Sequence, residues 1–169
     1  TTLSGMLGGM PVAVCAGLAY PRWRERSHIA APLPTDRIVM VDVRNLDPAE
    51  EQLIRATNVV IAAAEPGRPG ADLAGVIADL ATRCNLIYLH IDSDILDVSL
   101  VPNHGTREPN GPLMPAVLHA VDQVMAPGKV AALAVVSVYG EGAGSEISQA
   151  SGVALIAGGL QSWQRHGRG

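Results

Sequence analysis

One run of residues indicates both the fold and the chemistry of this chain: Leu86-Ile87-Tyr88-Leu89-His90-Ile91-Asp92-Ser93-Asp94. Its apolar first half is typical of a buried strand, and side chains along a strand alternate between its two faces. If the strand continues to its end, His90, Asp92 and Asp94 project from one face, with roughly 6–7 Å between neighbouring Cα atoms. Two carboxylates beside an imidazole are costly unless a positive charge neutralises them. A divalent metal is the simplest candidate, and the other interpretation is that both aspartates are ordinary turn residues after a strand.

The flanking sequence alternates between strand and helix patterns. Strands are predicted over residues 37–43, 59–63, 86–92 and 130–138. Apolar residues at helical spacing predict helices over 73–80 and 117–125, and a final helix is expected over about 148–165. This order predicts one domain, spanning residues 1–169, in which helices cover both faces of a mainly parallel sheet. Ligands of such sheets bind beyond the carboxyl ends of the strands, where the acidic pair lies.

Composition excludes several classes of partner. The chain has 169 residues and a net charge of −4. No Lys/Arg cluster is present, so no nucleic acid partner is expected. No apolar run reaches the ~18–20 residues that span a bilayer, so no membrane partner is expected either. Cys15 and Cys84 do not form a CxxC pair, which predicts free thiols in a reducing compartment, and no signal peptide opens the chain. These features predict a cytoplasmic protein.

Three further polar segments have both a structural and a functional interpretation. Arg44-Asn45-Leu46-Asp47-Pro48-Ala49-Glu50 is a good helix start, with Asp47 as N-cap, and the same helix end could face a ligand. Ser4-Gly5-Met6-Leu7-Gly8-Gly9-Met10-Pro11 reads as a loop entering a helix, and its amides and Ser4 could hold a substrate carboxylate. The turn-rich loop at 103–112 would lie over the acidic pair, with His104 as a polar wall group or as a solvated residue.

Taken in order, these segments resemble the ureohydrolase (arginase/agmatinase) family. The family's D-x-D strand end and its following G-T-P-x-P-G-G loop look like residues 92–97 and 105–111. Its S-G-N-x-H-G-x-P segment looks like residues 4–11, and its R-D-x-D-P-G-E segment looks like residues 44–50. The matches span most of residues 1–115. Details of the acidic and glycine-rich segments look closest to the branch that hydrolyses hydroxyarginine.

The resemblance implies a three-layer α/β/α fold with a mainly parallel sheet and, in the complete family site, two Mn²⁺ ions. The metals lower the pKa of a water and direct it at the guanidinium carbon of a small guanidino or amidino substrate, releasing urea or hydroxyurea. On this basis Asp92 and Asp94 are metal ligands, and Ser4, Asp47 and Glu50 orient the amino-acid end of the substrate. The family also implies assembly into a homo-oligomer.

The chain departs from the family pattern in its other site residues. The family's upstream histidine and D-x-H-x-D ligands do not occur in this sequence, so the N-terminal part of the fold is expected to be absent. The family's proton-relaying histidine aligns with Gly8. Its guanidinium-contacting acid falls near Ser137, which leaves His90 and Glu141 as candidate catalytic groups.

Three explanations for these departures are open. The chain is part of a longer enzyme, or a degenerate member with a non-catalytic binding or assembly role, or one half of a site that another polypeptide completes. A parallel sheet cut in its middle exposes a backbone edge, which predicts self-association or pairing with the absent segment.

Two other enzyme classes also use D-x-D after a strand. Phosphatases resembling haloacid dehalogenases use the first Asp as nucleophile, but they need a downstream lysine, and Lys129 precedes a predicted strand. Manganese-dependent nucleotide-sugar transferases would need a nucleotide pocket, for which the sequence gives no signal. Both alternatives are therefore weaker than a ureohydrolase.

Overall fold

In the computed structural model, which describes residues 5–167, the chain forms two compact units. The first comprises Thr1–Met40 and Asn45–Val60, and the second comprises Val41–Arg44 and Ile61–Gly169. The prediction of a single domain over residues 1–169 stays a prediction. None of the helices within residues 5–167 has the length and apolar character needed to cross a bilayer.

The first unit is built mainly from short helices: α1 at Pro11–Cys15, α2 at Pro21–Arg26 and α3 at Pro48–Arg55. Each begins with a proline, whose fixed φ suits the first helical position and whose lack of an N–H costs nothing there. Asp47 occupies the predicted N-cap position of α3, although its carboxylate accepts no capping hydrogen bond from the described first turn. The helix start predicted at Asp47 is therefore confirmed in position.

Strands β1 (Val39–Val41) and β2 (Val60–Ala62) form a two-stranded sheet. Both are shorter than predicted. A 3₁₀ turn at Thr35–Arg37 precedes β1, and Asp42 leaves the strand with a left-handed φ of 54°. The prediction of strand structure over all of 37–43 is therefore wrong at both ends.

The second unit carries the longer elements. These are α4 (Leu73–Arg83), β3 (Ile87–Asp92), α5 (Met114–Met125), β4 (Val130–Val136) and α6 (Ser145–His166). Strands β3 and β4 pair in parallel, from Ile87 opposite Val130 to Asp92 opposite Val136. Helix α5 connects them, so β3, α5 and β4 form the βαβ unit that the alternating pattern predicted.

Apolar residues at helical spacing form the core of the second unit. Ile77 on α4, Val117 and Val121 on α5, and Leu155 on α6 are all buried. Cys15 and Cys84 are free thiols, as predicted. The packed helices leave the carboxyl ends of β3 and β4 side by side at one edge, and the acidic pair lies there.

Candidate metal centre

A change of backbone direction, and not strand alternation, brings the two carboxylates together. Strand β3 ends at Asp92, and Ser93–Ile95 form one turn of 3₁₀ helix. Asp92 Oδ1 accepts a hydrogen bond from the Asp94 amide at 3.4 Å, which ties the two residues across this turn. The expectation that His90, Asp92 and Asp94 share a strand face is therefore wrong for Asp94. The turn still places both carboxylates on the same side.

His104, in the loop between β3 and α5, lies beside the pair. Its Nε2 lies 3.5 Å from Asp92 Oδ1, and its side chain is 6% exposed. Two Thr106 groups contact Nδ1: the carbonyl oxygen at 2.7 Å requires a ring proton there, whereas the amide N–H at 3.2 Å requires a lone pair. The shorter contact assigns the ring proton to Nδ1. Nε2 then presents a lone pair to Asp92, and this buried atom has no hydrogen-bond partner among residues 5–167. A cation between the two lone pairs would satisfy both.

Hydroxyl groups orient one oxygen of each carboxylate. Ser137, the first residue after β4, donates to Asp92 Oδ2 at 3.1 Å, and Thr106 donates to Asp94 Oδ2 at 3.3 Å. Ser93 is fully buried and donates to the Ser137 carbonyl at 2.9 Å, which fixes the end of β4 against the turn. The ends of two parallel strands thus meet at the edge where ligands of parallel sheets bind.

The electrostatics of the pair favour a cation. Burial raises the pKa of Asp94, and repulsion from Asp92 raises it further. Smaller opposing contributions come from His104, Thr106 and Arg44. The ionised carboxylate is therefore held in an environment that disfavours its charge, and a bound divalent cation would reverse that preference.

Among the described residues, Asp92, Asp94 and His104 form one candidate metal group. Each offers a ligand atom, and the three atoms all lie within 4.8 Å of one another. Two carboxylate oxygens and one imidazole nitrogen suit Mn²⁺, which accepts mixed oxygen and nitrogen donors. Together with the unpartnered Nε2 of His104, this donor set fits a resident divalent ion.

The other predicted catalytic candidates lie outside this group. His90 is exposed on β3, and its Nδ1 lies 3.1 Å from the Tyr88 hydroxyl. Glu141 is exposed in the loop after β4, where its carbonyl accepts a hydrogen bond from Asn103 at 2.8 Å. A catalytic role for either side chain stays a prediction.

The predicted substrate-orienting residues belong to the first unit or lie outside the described residues. Asp47 and Glu50 lie at the N-cap and in the first turn of α3. Ser4 lies outside the described residues. Substrate contacts for all three remain predictions.

His104 is the site residue that sequence reasoning missed as a ligand. It follows Asp94 by ten positions, across a loop whose path no residue pattern specifies. The one available signal was its place in a rigid, turn-rich segment directly after the acidic pair.

Comparison with known proteins identifies relatives of this chain. The arginase family model matches residues 1–159. An arginase from Brucella melitensis is 29% identical over 119 residues, which cover 66% of this chain and 37% of that protein. An N(omega)-hydroxy-L-arginine amidinohydrolase from Streptomyces lavendulae is 33% identical over 121 residues, which cover 72% of this chain and 39% of that protein.

Solved structures confirm the predicted α/β fold with parallel strands. The arginase of Bacillus caldovelox superposes with a TM-score of 0.76 at 24% identity, over 95% of this chain and 54% of that one. The arginase of Entamoeba histolytica, solved with L-ornithine, gives a TM-score of 0.79 at 22% identity, over 94% of this chain and 54% of that one. The chain therefore spans about half the length of these structures and less of the curated relatives.

Proposed function

This chain belongs to the arginase family, and we propose that the protein is a Mn²⁺-dependent hydrolase of linear guanidino or amidino substrates, releasing urea or hydroxyurea. The observation that carries the proposal is the convergence of Asp92, Asp94 and His104 at the carboxyl ends of β3 and β4. Ligands of parallel sheets bind at this edge. Family membership supplies the class of reaction, and the donor set supplies a place for the metal.

Each residue of the group has a distinct part in the proposal. Asp92 and Asp94 would hold the metal through their carboxylates, and the Nδ1–H contact to Thr106 would leave His104 Nε2 free to act as a neutral ligand. Ser137 restrains the Asp92 carboxylate, so that one oxygen remains directed at the metal. When bound, Mn²⁺ supplies a Lewis acid that lowers the pKa of a water for attack on the guanidinium carbon.

The substrate class follows from the relatives. The Streptomyces lavendulae relative acts on Nω-hydroxy-L-arginine, and the Brucella melitensis relative is an arginase. We infer that the substrate is arginine or its hydroxylated derivative. Asp47 and Glu50, at the positive N-terminal end of α3, together with Ser4, are proposed to hold the amino-acid end of that substrate.

Self-association is part of the same proposal. Helix α6 exposes Val153, Ile156 and Leu160, which recur at helical spacing on one face. A contiguous apolar face of this kind favours contact with another copy or with a further segment of the protein. Light scattering on the purified full-length protein should give a mass above that of the monomer, and a monomeric mass would contradict this part.

The decisive experiment measures product release by the full-length protein loaded with Mn²⁺. Arginine, Nω-hydroxyarginine and agmatine are supplied in turn, and urea and hydroxyurea are quantified. Asp92→Asn removes a ligand charge without changing side-chain shape. Asp79→Asn makes the same substitution at an exposed position of α4 and serves as the control.

We expect release from the wild type and the control, and loss of at least ~100-fold in Asp92→Asn, in keeping with the removal of a charge that binds the catalytic metal. Full-length protein that binds no Mn²⁺ and releases neither product would contradict the proposal. That result would favour the non-catalytic binding or assembly role instead.

A further inference from the structure

Asp42 combines two features that are individually unfavourable. Its backbone is left-handed, with φ of 54°, a conformation in which glycine would cost less. Its side chain is also only 2% exposed, and a buried carboxylate is costly unless it is paired. We therefore expect the Asp42 carboxylate to make contacts that offset both costs.

Two arginines supply the pairing. Arg44 Nη1 donates to Asp42 Oδ2 at 2.6 Å, while Arg68 donates through Nε to Oδ1 at 2.5 Å and through Nη2 to Oδ2 at 2.8 Å. The hydrogen bond from Asp42 raises the pKa of Arg68. The two guanidinium groups are themselves mostly buried, with side chains 15% and 20% exposed. Asp42 is therefore the centre of a buried ion triad within the second unit.

The triad also contacts the turn that carries a metal ligand. Arg44 Nη2 donates to the Asp94 carbonyl at 2.6 Å, and Arg44 Nη1 donates to the Ile95 carbonyl at 3.0 Å. Arg68 Nη2 donates to the Asn110 carbonyl at 2.7 Å, in the loop that follows His104. One planar guanidinium thus holds two successive carbonyl groups of the 3₁₀ turn, directly after the Cα atom that carries the Asp94 carboxylate.

We propose that Asp42 and Arg44 are positioning residues for the metal ligand Asp94. Asp42 holds the Arg44 guanidinium in place, and the guanidinium restrains the Ser93–Ile95 turn by donating hydrogen bonds to carbonyl oxygens of that turn. The anchoring has a second effect. An arginine this close to Asp94 could pair with its carboxylate and compete with a cation, but Asp42 engages its charge instead. This inference rests on the proposed metal-binding function and names residues that act on it indirectly.

Two substitutions separate the parts of the triad. Asp42→Asn keeps the side-chain shape and tolerates a left-handed φ, but it removes the charge that anchors both arginines. Arg44→Lys keeps the charge beside Asp42 and removes the planar fork that reaches two carbonyls. The control is again Asp79→Asn, whose partner Arg83 is on the surface of α4.

The readout is the Mn²⁺ dissociation constant of the full-length protein, measured by titration calorimetry on variants that circular dichroism shows to be folded. We expect Mn²⁺ binding to weaken roughly 10- to 100-fold in both Asp42→Asn and Arg44→Lys, the range found when groups behind a metal ligand are removed. The control should bind as the wild type does. Should Asp42→Asn fail to fold, Arg44→Lys alone decides the question.

The possible failures are distinguishable. Wild-type protein that binds no Mn²⁺ overturns the metal site and with it this inference. Wild-type affinity in Arg44→Lys, combined with lost binding in Asp92→Asn, overturns the positioning role and leaves the metal site intact.

Discussion

Gly152, in the middle of α6, provides a sharp test of how the helix packs on the strand end that supports the metal group. A Cβ atom at this position would lie 2.7 Å from both γ-carbons of Val138 and 3.3 Å from its Cβ. Carbon atoms in contact lie ~3.5–4.0 Å apart, so the added methyl requires a displacement of about 1 Å. Valine is stiff at χ1 and cannot move both methyls away. The Gly152→Ala substitution must therefore push α6 from the segment after β4.

Two opposing effects determine how much Gly152→Ala changes the free energy of unfolding. Alanine is favoured over glycine in a helix interior by ~1 kcal/mol. Overpacking a tight contact costs ~1–3 kcal/mol, and a rigid neighbour places this site in the upper part of that range. The net effect is a loss of about 1–2 kcal/mol of unfolding free energy, which corresponds to a fall in Tm of about 3–6 °C for a chain of this size.

Gly158, on the same helix, provides the matched control. A Cβ there would meet Leu118 Cδ2 at 2.5 Å, but that atom is the end of a flexible, half-buried side chain that can change rotamer. Gly158→Ala should therefore keep wild-type stability or gain up to ~1 kcal/mol from helix propensity. Urea unfolding followed by circular dichroism gives both values. The reasoning is refuted if Gly152→Ala is as stable as Gly158→Ala.

Three further predictions concern hydrogen bonds within the second unit. Ser93→Ala deprives the Ser137 carbonyl of its 2.9 Å donor and should cost ~1–2 kcal/mol in urea unfolding; an unchanged midpoint would contradict it. The hydrogen bond from Ser162 lowers the pKa of Asp122 from its ordinary value of 3.8. The ionised carboxylate therefore stabilises the fold at pH values above 3.8, and this stabilisation is lost as the pH falls through the lowered pKa. The stability deficit of Asp122→Asn should accordingly be largest at neutral pH and shrink in acid, and a deficit independent of pH would oppose this. Lys129→Met removes an ammonium that donates to two carbonyl oxygens at the end of α4 and should cost ~1–3 kcal/mol, seen as a lower Tm.

Residue pattern predicted the elements of the second unit because their apolar faces agree with their packing. Helices α4 and α5 follow the i, i+3, i+4, i+7 spacing, and most residues at those positions are buried, with Val76 and Leu118 half-buried. Strand β3 begins one residue after its predicted start and ends where predicted. Helix α6 begins three residues earlier than expected. Local propensity and tertiary contacts favour the same structure in all of these elements, and under this condition the sequence pattern is enough to predict them.

The residue pattern gave the wrong end for strand β1, where a long-range contact determines the backbone. The sequence Val39-Met40-Val41-Asp42-Val43 reads as an uninterrupted strand. The strand nevertheless ends at Val41, because the Asp42 carboxylate turns inward to Arg44 and Arg68. The partner Arg68 lies 26 residues away, so no local window contains the cause. Helix α2, with six residues and no apolar face, was likewise not predicted.

The candidate metal group likewise contains residues that the sequence predicts and one that it does not. Asp92 and Asp94 lie at a strand end and in its first turn, where the direction of the strand still constrains the backbone, so the sequence pointed to two of the three residues in the candidate group. Ser137 was within reach of the same rule, because parallel strands end at one edge. His104 was not, since its distance from Asp92 depends on a loop whose course is set by contacts such as that between its ring and Thr106. The sequence therefore predicts which residues lie at strand ends, whereas only the folded loop shows that His104 Nε2 lies beside the two carboxylates.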